Sequence, residues 1–83
     1  MVRIRYFAAL REAIGRAEAV LDLPPSIKTG RDLVRLLASQ FPHAAAHLNA
    51  PSLRIALDQE IASFDVPLGG AKEIALLPPM TGG

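Results

Sequence analysis

The sequence contains no cysteine and no tryptophan, and only one tyrosine and three phenylalanines among its 83 residues. Without a thiol the chain cannot be a disulfide scaffold, a zinc ribbon, an iron–sulfur protein or a thiol enzyme. Charge of either sign is sparse and nearly balanced: nine Lys and Arg against eight Asp and Glu leave a formal net charge of +1. That is no general basic footprint for nucleic acid. No uninterrupted apolar run approaches the roughly 18–20 residues a membrane-spanning helix needs. Arg3 and Arg5 also interrupt the apolar start of the sequence, which is unlike a signal peptide. The expectation is a cytoplasmic protein with no nucleic-acid partner and no membrane partner. What the sequence does have is apolar side chain, 51% of its residues, enough to exclude a disordered or mostly solvated segment. At this length it makes one small domain with more apolar surface than such a domain readily buries.

Period separates the elements. Val2, Ile4 and Tyr6 alternate with Arg3 and Arg5, the pattern of a half-buried strand. Leu10, Ala13 and Ile14 follow at helical spacing, and Gly15 predicts the stop of a short helix over 8–14. Ala19, Leu21 and Leu23 alternate again, predicting a second strand that ends at Pro24-Pro25 and pairs with the first as a widely spaced hairpin. The main helix is predicted over 30–41: Leu33, Leu36, Leu37 and Phe41 share a face, and Pro42 closes it. Thr29 with Asp32 three residues on is a near-match to a capping box. Leu53, Ile55 and Leu57 predict a third strand, Asp58-Gln59-Glu60 a polar turn, Ile61–Phe64 a further apolar stretch, and Glu73–Leu77 the last strand. The order β-β-α-β-β predicts an α+β fold, a four- to five-stranded mixed sheet packed on one main helix.

Most familiar chemistry is missing. Gly69-Gly70 lacks the spacing of a phosphate loop. Ser26, Ser39, Ser52 and Ser63 stand in no Gly-x-Ser-x-Gly context. His43 and His47 share a helical spacing but have no third ligand in their segment, so they read as surface residues and no metal site is expected. The acidic residues are scattered singly, without a pair for acid–base work.

What remains is the end of the sequence. Residues 1–77 read as the domain and residues 78–83 as an extended tail. Pro78 and Pro79 stiffen the backbone, Met80 and Thr81 follow, and Gly82 and Gly83 carry no Cβ at all. Six residues reach about 20 Å past the fold. A tail that is stiff first and then only as wide as a backbone suits a carboxylate delivered down a narrow channel into another protein. The alternative reading is an ordinary frayed terminus.

These residues resemble the molybdopterin synthase small-subunit family of ubiquitin-like sulfur carriers (the MoaD family). The resemblance runs from Tyr6-Phe7-Ala8, Leu10-Arg11-Glu12 and Gly15 through Asp58-Gln59, Ser63-Phe64-Asp65 and Pro67-Leu68. It ends in Glu73-Ile74-Ala75 and Pro78-Pro79-Met80-Thr81-Gly82-Gly83. A Gly-Gly end alone is common to all ubiquitin-like carriers; Pro-Pro-x-x-Gly-Gly with this start and length is specific. The resemblance implies a β-grasp fold. It implies that the Gly83 carboxylate is adenylated by an ATP-dependent, E1-like adenylating enzyme and converted to a thiocarboxylate. The tail would then enter the molybdopterin synthase large subunit, where Gly83 donates sulfur to cyclic pyranopterin monophosphate to build the molybdopterin dithiolene. It further implies a heterotetramer, catalytic side chains on the large subunit, no cofactor bound to this chain, a role for Gly82 in access and one for Pro78, Pro79, Met80 and Thr81 in insertion. Other readings are a sulfur carrier for thiamin, tRNA thiolation or cysteine synthesis, and a ubiquitin-like protein modifier.

Two departures stand out, Asp58 where the family usually has Asn, and Gly70-Ala71-Lys72 where it has an acidic turn; both read as surface changes remote from the tail. Strand parity adds a partner surface. Phe7 and Leu77 fall off the core-facing register, and Ile61 just after the polar turn joins them, so the three are expected to lie exposed beside the tail exit.

Overall fold

The computed structural model describes residues 1–79. Five strands form one mixed sheet: β1 Val2–Tyr6, β2 Glu18–Leu21, β3 Arg54–Leu57, β4 Glu60–Ala62 and β5 Glu73–Leu77. Their spatial order is β2-β1-β5-β3-β4, with β1 and β5 parallel and every other pair antiparallel. Three helices, α1 Ala8–Ile14, α2 Gly30–Gln40 and α3 Ala45–Leu48, and a 3-10 turn at Pro42–Ala44 complete the described chain. This is a β-grasp, an α+β sheet with one long helix laid across one face. No helix of the described residues is long and apolar enough to cross a membrane.

Alternation in β1 does what its sequence predicts. Val2, Ile4 and Tyr6 are buried beneath the helix, and Arg3 and Arg5 point the other way. β5 and β3 repeat the pattern, with Ile74, Leu76 and Ile55 in the same core. From above, α2 contributes Leu33, Val34 and Leu37, while Leu10 of α1 and Ala44 and Leu48 close the ends. Burying a Leu or Ile side chain contributes about 1.5–3 kcal/mol. Seven large side chains here are fully buried, and among the described residues no charged side chain is.

α2 starts where the sequence places it. Thr29 Oγ1 accepts from the Asp32 N–H at 3.3 Å, and Asp32 Oδ2 accepts from the N–H of Thr29 at 3.2 Å and of Lys28 at 3.0 Å. The box therefore satisfies three otherwise orphaned donors. Those bonds to its ionised form hold the Asp32 carboxyl below the usual range, the one from Lys28 foremost. The first helical residue, Gly30, sits so close to the sheet that an added Cβ would lie 2.8 Å from Ile55 Cδ1 and 3.3 Å from Phe64 Cα. The helix ends one residue earlier than its periodicity predicts. Phe41 precedes Pro42 and leaves the helical region at φ −126°, ψ 76°.

Other boundaries shift too. β2 ends at Leu21, so Leu23 packs on the core from outside the strand, and β3 begins at Arg54, not Leu53. The stretch after the polar turn contains a true strand, β4, joined to β3 by Asp58 and Gln59, both at positive φ (50° and 73°) as a tight hairpin turn requires. Asp58 Oδ1 also accepts from the N–H groups of Lys72 (2.9 Å) and Glu73 (3.0 Å). The two positions that depart from the resembled family are thus hydrogen-bonded to one another, and together they fix the entry to β5.

Candidate functional site

β5 leads to the tail and is held on both sides, Tyr6 opposite Leu76 and Arg54 opposite Leu77. The exit point is therefore set by the interior of the sheet and not by a fraying edge. Pro78 is buried and Pro79 exposed. The chain leaves the domain surface at Pro79, after a buried proline has fixed φ and removed a donor. Met80, Thr81, Gly82 and Gly83 lie outside the described residues.

Phe7 continues β1 in extended conformation (φ −121°, ψ 154°) before the chain turns into α1. Because Tyr6 is opposite Leu76, the next residues, Phe7 and Leu77, come side by side on the face away from α2. Both are half-buried, not fully exposed as parity alone suggests. Part of the reason is Arg5, whose guanidinium carbon lies 5.0 Å from the centre of the Phe7 ring, a cation–π contact. Ala8, immediately after, is held at φ 51°, a left-handed conformation unusual for a residue with a Cβ.

Ile61 is the most exposed of the three, at 69%. It stands opposite Ala56, which stands opposite Ala75, so an apolar row crosses β4, β3 and β5 on the open face. Two strand spacings, about 9–10 Å, separate Ile61 from the β5 line. The alanines between them are only 7% and 8% exposed. They form a shallow floor that joins Ile61 to the Phe7–Leu77 pair. Sequence reasoning missed these two residues as part of the patch. The available signal was an alanine where a wet strand face normally carries a polar side chain.

Beyond β5 the same face changes character. Arg3 pairs with Glu18 at 3.1 Å and Arg5 reaches Glu73 at 4.0 Å. These exposed pairs contribute little stability; they neutralise the charges of that half, where the exposed Val20 opposite Arg3 is the apolar exception. The open face thus offers an apolar half beside the tail exit and a charge-paired half away from it. Tyr6, buried under the sheet, has its phenol pushed up by burial, opposed in part by the Arg16 charge. His43 is exposed and His47 half-buried, and no group of three or more potential metal ligands occurs among the described residues.

Residues 4–83 match the family model described as ThiS family. The molybdopterin synthase sulfur carrier subunit of Escherichia coli (strain K12) is 35% identical over 85 aligned positions, spanning 100% of both chains. The protein of the same name from Dictyostelium discoideum is 30% identical over 81 positions, covering 98% of this chain and 94% of that one. Among solved structures, SAMP1 from Haloferax volcanii superposes with a TM-score of 0.76 at 22% identity, over 99% of this chain and 98% of that one. This last is a likeness of backbone, and it extends over the whole β-grasp.

Proposed function

The chain belongs to the ThiS family, and from that premise we propose that it is the sulfur-carrier subunit of a molybdopterin synthase, delivering sulfur on the carboxyl group of Gly83. The observation that carries this reading is the end-to-end correspondence with relatives named for that role, at 35% and 30% identity. The match to the family extends through residue 83, so it includes the Gly-Gly end.

Chemistry explains why such a carrier needs no active-site side chains. A carboxylate is a poor electrophile. Attack of the Gly83 carboxylate on the α-phosphorus of ATP, with departure of pyrophosphate, makes an acyl-adenylate. Hydrosulfide then adds to that carbonyl and AMP leaves, giving the thiocarboxylate. The E1-like adenylating enzyme supplies the groups for the first step. The large synthase subunit supplies those that pass the sulfur to cyclic pyranopterin monophosphate. This chain's part is presentation. Pro78 anchors the tail, Pro79 to Thr81 insert, and Gly82 and Gly83 pass where a Cβ would not. Five residues from Pro79 onward span at most about 17 Å. The apolar half of the open face, Phe7, Leu77 and Ile61 with Ala56 and Ala75, is the surface on which either partner would rest while the tail is inserted. A partner covering it would bury apolar side chains that are otherwise left to water.

The test is intact-mass measurement of the protein incubated with an E1-like adenylating enzyme, ATP and a sulfide source. The expected product is heavier by the difference between one sulfur and one oxygen. Unchanged mass would overturn sulfur carriage. One residue added after Gly83 is expected to abolish loading. Rescue of molybdoenzyme activity in a strain lacking its own small subunit separates this role from thiamin, tRNA-thiolation or cysteine-synthesis carriage. Conjugates to other proteins on a gel would indicate a modifier.

A further inference from the structure

A second surface lies away from the tail, between α2 and the chain entering β3. Arg31 and Arg35, one helical turn apart on α2, and Arg54 at the start of β3 rim a groove of about 480 Å³. Val34, Leu48 and Leu53 lie at its base, almost wholly buried, and the half-buried Ala50, Ala62 and Phe64 give it an apolar part open to a ligand. No Asp or Glu lines it. In a chain whose charges nearly cancel, three of the nine basic residues on one acid-free groove is a local excess.

Arg31 is already paired with an acid, whereas Arg35 and Arg54 are only lightly engaged. Arg31 Nε donates to Asp65 Oδ1 at 3.0 Å, just outside the groove. The guanidinium of Arg54 makes two long contacts, 3.4 and 3.5 Å, to the Ser52 and Leu53 carbonyls. Among the described residues no ion pair involves Arg35 or Arg54. Asp32 feels the Arg35 charge at longer range, but its oxygen is occupied by the Lys28 and Thr29 N–H groups.

We propose that this groove binds an acidic segment of a partner protein. One apolar side chain of the segment seats against Ala50, Ala62 and Phe64 while flanking carboxylates meet Arg35 and Arg54 and compete with Asp65 for Arg31. A free phosphate would use the arginines and leave the apolar part wet. A nucleic acid would look for aromatic faces to stack on, and the groove offers one ring, the half-buried Phe64. A peptide with both features uses the whole surface, and guanidinium forks suit carboxylates. The groove is also continuous with the apolar half of the open face. Arg54 lies opposite Leu77, and the Ala62 and Ser63 wall directly follows Ile61. A partner lying on the open face therefore reaches the groove around the β4 edge. The proposal concerns the folded domain and does not depend on sulfur carriage.

The test is titration of the isotopically labelled full-length protein with the peptide acetyl-Glu-Asp-Glu-Leu-Glu-Asp-Glu-amide, read by amide chemical shifts at low salt. Saturable shifts are expected in residues 31–35, 48–54 and 62–64. The R35E/R54E double variant is expected to weaken binding about tenfold or more, and R35K/R54K, which keeps the charge but loses the fork, to weaken it less. R35Q/R54Q carries the same test should the charge reversal fail to fold. Shifts located elsewhere, or equal affinity in R35E/R54E or R35Q/R54Q, would overturn the proposal. So would equal binding by a peptide with glycine in place of leucine, or by inorganic phosphate or an oligouridylate at the same concentration.

Discussion

The two faces of the sheet are built from the same strands and differ only in parity, yet they are made for different purposes. Toward α2, Ile4, Ile55, Ile74 and Leu76 are completely buried, and every neighbour is fixed by packing. Away from α2, residues one position along stay partly open: Phe7, Ile61 and Leu77 beside the tail exit, and Arg3 and Arg5 paired with Glu18 and Glu73 beyond it. The covered face carries stability. The open face contributes less to stability, and its apolar half is the surface proposed above for contact. In a domain this small the division is forced, because one long helix can cover only one side.

The sharpest test of that division compares neighbours on β5. Leu76→Ala removes a fully buried side chain and is expected to cost about 2–5 kcal/mol in urea denaturation, enough to threaten folding. The same change at Leu77 is expected to cost well under half as much, since that side chain is half-buried. Equal costs would mean that parity does not separate the faces.

Gly30→Ala probes the contact between helix and covered face, and its sign is informative. Helix propensity alone favours Ala by about 1 kcal/mol. The added Cβ, however, meets Ile55 Cδ1 at 2.8 Å and the Phe64 backbone at 3.3 Å. Ile55 is fully buried and Phe64 Cα belongs to the main chain, so neither yields cheaply. The expected outcome is a net loss of about 1–3 kcal/mol by overpacking.

How much of this was legible beforehand follows from the range of each interaction. The α2 cap, the Gly15 stop and the alternation of β1 are local, and residues a few positions apart encode them. β4 is three residues long and carries too few alternations to declare itself; its partner supplies the evidence. The parallel pairing of β1 with β5 joins opposite ends of the chain, and periodicity says nothing about which strand lies beside which. The same blindness hid the bond that the Lys72 N–H donates to Asp58 Oδ1 and the burial of Pro78. Of the proposed contact surface, parity grouped Phe7, Ile61 and Leu77 as one exposed patch, of which Ile61 is exposed and the other two half-buried. It took the register to show that Ala56 and Ala75 join them.

Weaker effects test the ends of the elements. Thr29→Ala removes half of the capping box and is expected to cost about 1 kcal/mol. Its partner Asp32 gives a pH signature. The folded carboxyl titrates lower than the unfolded one, so its contribution is complete above about pH 4 and is lost as pH falls through the folded value. Asp32→Asn is expected to flatten that acid limb of the stability curve while leaving neutral-pH behaviour nearly unchanged in slope. At the β3–β4 turn, Gln59 holds φ 73° with a Cβ, so Gln59→Gly is expected to stabilise by about 0.5–1 kcal/mol.

The smallest stability effect is expected at the residue where the contact reading is most exposed to refutation. Ile61→Asp places a charge on a side chain that is already 69% exposed and that stands outside the core beneath α2, with only the small Ala56 opposite it. Denaturation is expected to move by no more than about 0.5 kcal/mol. Leu77→Asp is a less clean probe, because a half-buried position mixes folding with contact. If Ile61, Ala56 and Ala75 form one surface with the tail exit, Ile61→Asp weakens binding to a molybdopterin synthase large subunit, measured by calorimetry, while the protein melts as before. A variant that binds normally would confine the contact surface to Phe7 and Leu77. A variant that unfolds would mean that the open face contributes to stability after all, and the contrast between the two faces would fail at its most exposed point.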